Sequence, residues 1–198
     1  MKINPARKDK AFQSSQTWPQ FLESMKVNRS EIEANYQAFE LTASDKAFLA
    51  GLPGVTDVLV LAQDWCGDVV ANLPLFAKIE AETGKVRLHI VPKDPDNVDI
   101  GKLYPHPDGD VHIPIYLFFD EVGREKGHLI ERTPALNDKV GEWLGGFWKT
   151  HPEHQGKDFM TLPQEVRAAL INLLNSERRK VRDLEKKTVL EFLGKTLA

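Results

Sequence analysis

The chain lacks most of the features that would place a protein at first sight. Of its 198 residues only one, Cys66, is a cysteine. A single thiol cannot close an internal disulfide. That excludes a disulfide-stapled scaffold and fits a reducing compartment, so a cytoplasmic location is expected. No apolar run approaches the ~18 residues of a membrane-spanning helix. Residues 1–20 are basic and polar without an apolar h-region, so no secretory signal is expected. The formal net charge is only −3, which gives no argument for nucleic acid or an anionic membrane as a partner. Internal repeats, low-complexity tracts, a phosphate-binding glycine loop and a Ser-His-Asp set are also missing. What remains is a globular composition, 41% hydrophobic and 28% charged, long enough for one substantial core with helical extensions.

One stretch organises the rest. Val58 to Leu61 is an apolar run that reads as a buried strand ending at Gln63-Asp64. Trp65-Cys66-Gly67-Asp68 follows, and then Val69, Leu73, Phe76 and Ile79 recur at helical spacing. The thiol therefore falls where a strand hands over to a helix. Unpaired backbone N–H groups and the positive end of the helix dipole face it there, which favours the thiolate. Asp64 and Asp68, ionised nearby, pull the other way.

This tract resembles the active-site segment of the thioredoxin family. The resemblance rests on the strand, on Trp65-Cys66-Gly67, and on Pro74 eight positions after the cysteine. Val69 stands where thioredoxins carry a second cysteine and Asp68 where thioredoxin has proline, so the tract looks most like a single-cysteine Trp-Cys-Gly-Asp branch. Pro114, 48 residues after Cys66, matches the family's cis-proline, and the flanking Ile115–Phe119 run matches the strand that follows it. The resemblance covers about residues 53–151. It implies an α/β thioredoxin-like fold with a central mixed sheet flanked by helices. Residues 1–52 then form a helical N-terminal extension and 152–198 a helical C-terminal one, all in one globular unit.

In chain order, residues 1–17 read as loosely held. A short helix is expected over 19–25. Ser30 with Glu33 forms a capping box opening a helix to about Leu41, and Ser44-Asp45 caps another that ends at Gly51. Gly84 closes the helix after Cys66. Lys85–Val91 alternates as a second strand, 98–103 reads as a short helix, and Ile115–Phe119 with 127–132 forms a hairpin turning at Gly123. A helix over 134–149 packs Leu136, Val140, Trp143, Leu144 and Trp148, with Gly145-Gly146 allowing a close backbone approach. A single long helix starting at Pro163 closes the chain. Its charge run Glu177–Lys187 reads as a solvated face, with Asp183 and Lys187 paired across a turn. Its apolar end is a candidate homo-oligomer contact.

As a nucleophile without an internal partner, Cys66 attacks a disulfide and forms a mixed disulfide that an external thiol must resolve. The expected partners are a disulfide-containing protein or a low-molecular-weight thiol such as glutathione. Carried over from the family, Trp65, Gly67, Asp68, Ile113 and Pro114 contact the substrate, Ile113 through backbone pairing. Plainer readings stand beside these: Cys66 as an idle thiol, Asp68 as a residue favoured at a helix start, Trp65 as a half-buried aromatic, and Pro114 as a proline at the beginning of a strand. A non-catalytic binding module and a peroxide-responsive thiol sensor are the alternative functions. No cofactor and no metal is expected. His151-x-x-His154 reads as a solvated loop. His106, Asp108, Asp110 and His112 read as a polar turn, whose only other reading is a metal shared with Cys66.

Overall fold

The computed structural model describes residues 2–198. Four helices come first: α1 (Pro5–Gln13), α2 (Trp18–Ser24), α3 (Arg29–Ala38) and α4 (Ala43–Ala50). Strand β1 (Thr56–Ala62) runs into α5 (Gly67–Thr83), which returns to β2 (Val86–Pro92). The short helix α6 (Val98–Gly101) and a loop lead to β3 (Ile115–Phe119) and β4 (Glu125–Ile130). Helices α7 (Pro134–Thr150), α8 (Gln164–Lys180) and α9 (Arg182–Leu197) complete the chain. The strand order is β2-β1-β3-β4, with β1 parallel to β2 and the other pairs antiparallel. This is a mixed sheet flanked by helices, the expected α/β architecture. No helix among the described residues is long and apolar enough to cross a membrane.

Strand alternation divides the interior in two. Val58, Val60, Tyr116 and Phe118 face a core shared with α2, α3, α5 and α9. Leu59, Leu61, Ile115, Leu117 and Phe119 face a second core under α1 and α6. A central strand covered on both faces must be apolar at every position, which is why β1 carries a near-continuous Val-Leu run.

Pro74, buried inside α5, has no N–H to give the carbonyl of Val70 one turn earlier. The side chain of Asn35 from α3 donates to that oxygen instead, at 2.9 Å, and Arg182 donates to Asn35 Oδ1 at 2.8 Å. The backbone defect in α5 thereby becomes a tie to both extensions.

Several expectations are corrected. Residues 2–17 are docked (Met1 lies outside the described residues): Ala11 is fully buried, Lys8 lies over the Phe119 ring, and Gln16 exchanges backbone hydrogen bonds with Ile90 on the edge of β2. Covering that edge satisfies groups an open strand would expose. The cap of α3 is Asn28 in a left-handed conformation, so Ser30 lies inside the helix. Thr42 rather than Ser44 caps α4, and Asp45 supplies the reciprocal bond, which satisfies two backbone donors, while the Ser44 hydroxyl bonds that of Thr42. Gly145 and Gly146 face open space, with no neighbouring backbone close to them. The final helix is two helices that break at Val181, and the charge run is not all solvated: Arg178 is 8% exposed and Glu185 only 3%. The apolar residues of α9, among them Leu190, Leu193 and Leu197, are buried in the chain's own core.

Candidate functional site

Cys66 is the residue that caps α5, immediately before its first turn. Its position follows from chain geometry. The strand ends at Ala62, a turn closed by Cys66 N–H to Gln63 O redirects the chain, and Val70 N–H returns to Cys66 O to begin the helix. Asp64, expected beside the thiol, is instead occupied with the N-terminal segment, accepting from the backbone N–H groups of Lys26 at 2.6 Å and Val27 at 3.2 Å.

The Cys66 thiol is half-buried and touches both cores. Its Sγ donates to Ile113 O at 3.3 Å, and the Ile113–Pro114 peptide bond is cis. The structure thus brings together Cys66, Ile113 and Pro114, three residues the sequence separates by nearly fifty positions. Trp65 stands beside them, 59% exposed. On the other side of the thiol a cleft of about 420 Å³ opens, walled by Trp65, Val140, Phe159, Met160, Ile171 and Leu174. Those last four residues come from the C-terminal helices and the turn between them.

The expected thiolate is not what the surroundings favour. Burial raises the thiol first, and the negative charge of Asp68 raises it further. The N–H groups of Val69 and Asp68 at the helix start pull it down by less, and the result is a pKa of about 11.

Asp68 itself spends both carboxylate oxygens on arginines. Arg132 donates to Oδ2 at 2.6 Å and Arg178 to Oδ1 at 2.6 Å. Arg178 also binds Glu185, and Arg132 binds Glu131 at 2.8 Å. Burial alone would raise the Asp68 carboxyl, but Arg178 and Arg132 together outweigh it, and the carboxyl lies below its ordinary value. Glu185 is pushed up by burial, with Arg178 opposing. The network pins the start of α5 to the break between α8 and α9. Nothing in the sequence marks it: Arg178 and Glu185 sit in a run of charges that looks like any solvated helix face.

Glu131 is another residue the sequence did not single out. It holds a left-handed φ of 54°, uncommon for a residue with a side chain. Its N–H donates to Pro114 O at 2.8 Å and its carbonyl accepts from Asn72 at 2.6 Å. Asn72 in turn accepts from the buried Tyr116 hydroxyl. The proline loop is thereby tied to α5 through one buried amide.

The histidines are placed as follows. His151 stacks on Phe147 and His154 lies beside Glu153, without converging on a shared centre. His106 and His112 stack on each other next to the proline loop, and the carboxylate that joins them from outside their own segment is Glu131. Among the described residues Cys66 belongs to no group of metal-type donors.

A protein-family model described as thioredoxin matches residues 15–144 of the chain. The match begins well upstream of residue 53, in keeping with the way α2–α4 enter the main core. Among solved structures, a protein of unknown function from Pseudomonas aeruginosa is similar with a TM-score of 0.61 at 16% identity, over 88% of this chain and 99% of that one. An HIV epitope scaffold is similar with a TM-score of 0.59 at 17% identity, over 85% of this chain and 97% of that one. At such identities the likeness shows the fold. No curated protein matches significantly.

Proposed function

The chain belongs to the thioredoxin family, and from that premise we propose that it is a monothiol member acting in cytoplasmic thiol–disulfide exchange, with Cys66 as the nucleophile. The observation that carries the reading is the contact of Cys66 Sγ with Ile113 O beside the cis Ile113–Pro114 bond, at the start of α5 and next to an exposed Trp65. A disulfide laid along the proline loop would meet the thiol end-on.

The chemistry balances without a second cysteine. The Cys66 proton leaves to solvent. The thiolate attacks one sulfur of a disulfide, forming a new S–S bond and releasing the other sulfur as a thiolate. An external thiol such as glutathione then attacks the mixed disulfide, restores Cys66 and carries away the partner's sulfur. Ile113 and Pro114 position the substrate backbone, Trp65 and Gly67 flank it, and Asp68 acts through the fold by holding the helix start in place. With the thiol held near 11, only about one molecule in ten thousand carries the thiolate at neutral pH. Exchange through the free thiol is therefore slow at neutral pH.

The test is to incubate the chain with a disulfide-bonded peptide and follow the mixed disulfide by intact mass. Adduct on the native chain, lost in Cys66→Ser and released by glutathione, supports the reading. Peptide binding that survives Cys66→Ser, without adduct in the native chain, replaces it with a non-catalytic binding module, which the raised thiol pKa favours.

A further inference from the structure

Two imidazoles and a carboxylate converge beside the proline loop. His106 and His112 stack with ring centres 4.2 Å apart and planes 16° from parallel. His112 Nδ1 lies 2.9 Å from Glu131 Oε1. One donor atom from each of His106, His112 and Glu131 falls within 4.8 Å of the other two, and all three residues are half-buried.

The backbone fixes these positions. His106 N–H donates to Asp110 O at 2.8 Å and Gly109 N–H to His106 O at 2.8 Å, closing the loop between the two histidines. His112 directly precedes the cis Ile113–Pro114 bond. Glu131 is held left-handed by its bonds to Pro114 and Asn72. A conformation of that kind is unfavourable for a residue with a side chain and persists where the surroundings impose it.

We infer that His106, His112 and Glu131 form a binding site for a divalent transition-metal ion of the zinc class, with Asp108 orienting the imidazoles from outside. Imidazole nitrogen and carboxylate oxygen are donors that suit such ions, and three protein donors leave a position for water. Zinc bonds of about 2.0–2.1 Å set tetrahedral donors roughly 3.4 Å apart, so the three donors, now within 4.8 Å of one another, would have to draw together by side-chain rotation to hold the ion. Asp108 Oδ2 lies 3.0 Å from His112 Nε2 and 2.9 Å from His106 Nδ1. A carboxylate behind the ligating rings is the usual way metal-bound histidines are oriented. The approach to His106 Nδ1 is not aligned as a hydrogen bond, so that enclosed nitrogen is left unsatisfied. Buried polar atoms rarely stay so, and a small rotation that aligns Nδ1 with Asp108 would relieve it while leaving Nε2 for the metal. The competing state is a His112 ring that simply bridges Asp108 and Glu131, with no role for a metal.

Calorimetric titration of the full chain with Zn²⁺ at about pH 7.5, where free imidazole is mostly neutral, separates the two. One ion per chain with a micromolar or tighter Kd is expected. His112→Gln should weaken it by ~100-fold or more and Asp108→Asn by about 10–100-fold, while Cys66→Ser leaves it unchanged. His106→Gln, on the loop rather than next to the proline, gives the same reading if His112→Gln fails to fold by circular dichroism. Absence of saturable binding, binding that survives His106→Gln and His112→Gln, or binding that requires Cys66 would each overturn the site.

Discussion

At the scale of single residues, Cys66 lies between opposing influences whose balance decides its chemistry. The helix start offers it N–H groups, while burial and Asp68 oppose ionisation and prevail. Replacing Asp68 with Asn removes the like charge beside the thiol. The Cys66 pKa should then fall by on the order of 1 unit, and its alkylation rate at neutral pH should rise about tenfold. The same change takes one carboxylate partner from each of two arginines, one of them buried, leaving them Glu185 and Glu131, and should cost about 1.5–3 kcal/mol by urea unfolding. Asp68 also sets an acid limit. Its carboxyl is depressed in the folded chain, so it contributes stability above the unfolded value of about 3.9, and that stability is lost as pH falls through the folded value. Glu185, shifted upward, works in the opposite sense and softens the effect. Thermal melts of the native chain below about pH 4 should therefore drop more steeply than those of Asp68→Asn.

At the scale of elements, what was legible in the sequence is what period and punctuation encode. The Val-Leu run of β1, the alternation of β2, Gly84 as the helix stop and the β3–β4 hairpin were all visible, because each depends on local pattern. So was the placing of Cys66 against the loop of Ile113 and Pro114, which came from resemblance to a family. The break between α8 and α9 was not legible, since no proline or glycine marks Val181. Neither was the burial of Arg178 and Glu185, which only partners distant in the chain make favourable. The role of Asn35 was equally hidden, because the carbonyl it serves is orphaned by a proline 39 residues away. Asn35→Ala should cost about 1–3 kcal/mol by leaving Val70 O and Arg182 without their partner. In a Pro74→Ala background the restored N–H serves Val70 O, so the penalty should shrink. Equal penalties in both backgrounds, read from urea midpoints, would contradict this role.

At the scale of the whole molecule, the helical extensions are built into the sheet's own cores. Helix α1 covers one face, and α9 sends Leu190, Leu193 and Leu197 into the other. Burying a leucine contributes about 1.5–3 kcal/mol, so these three together rival the 5–15 kcal/mol that holds a typical domain folded. Deleting residues 182–198 also leaves Arg178 without Glu185. The truncated chain should lose its cooperative thermal transition by circular dichroism, and a shortened chain that melts at the native temperature would refute the point. The cleft beside Cys66 belongs to the same scale, since Phe159, Met160, Ile171 and Leu174 reach the thiol only because α7 and α8 fold back over the start of α5.

The most direct measurement is the rate at which glutathione disulfide modifies Cys66 as a function of pH, in the native chain and in urea. The native chain should form an adduct at a rate that climbs tenfold per pH unit toward about 11 and lies below the unfolded rate at neutral pH. A native chain that forms no adduct at any pH where it stays folded would contradict exchange at Cys66. A native midpoint at or below the ordinary thiol value of about 8.5 would contradict the thiol environment described above.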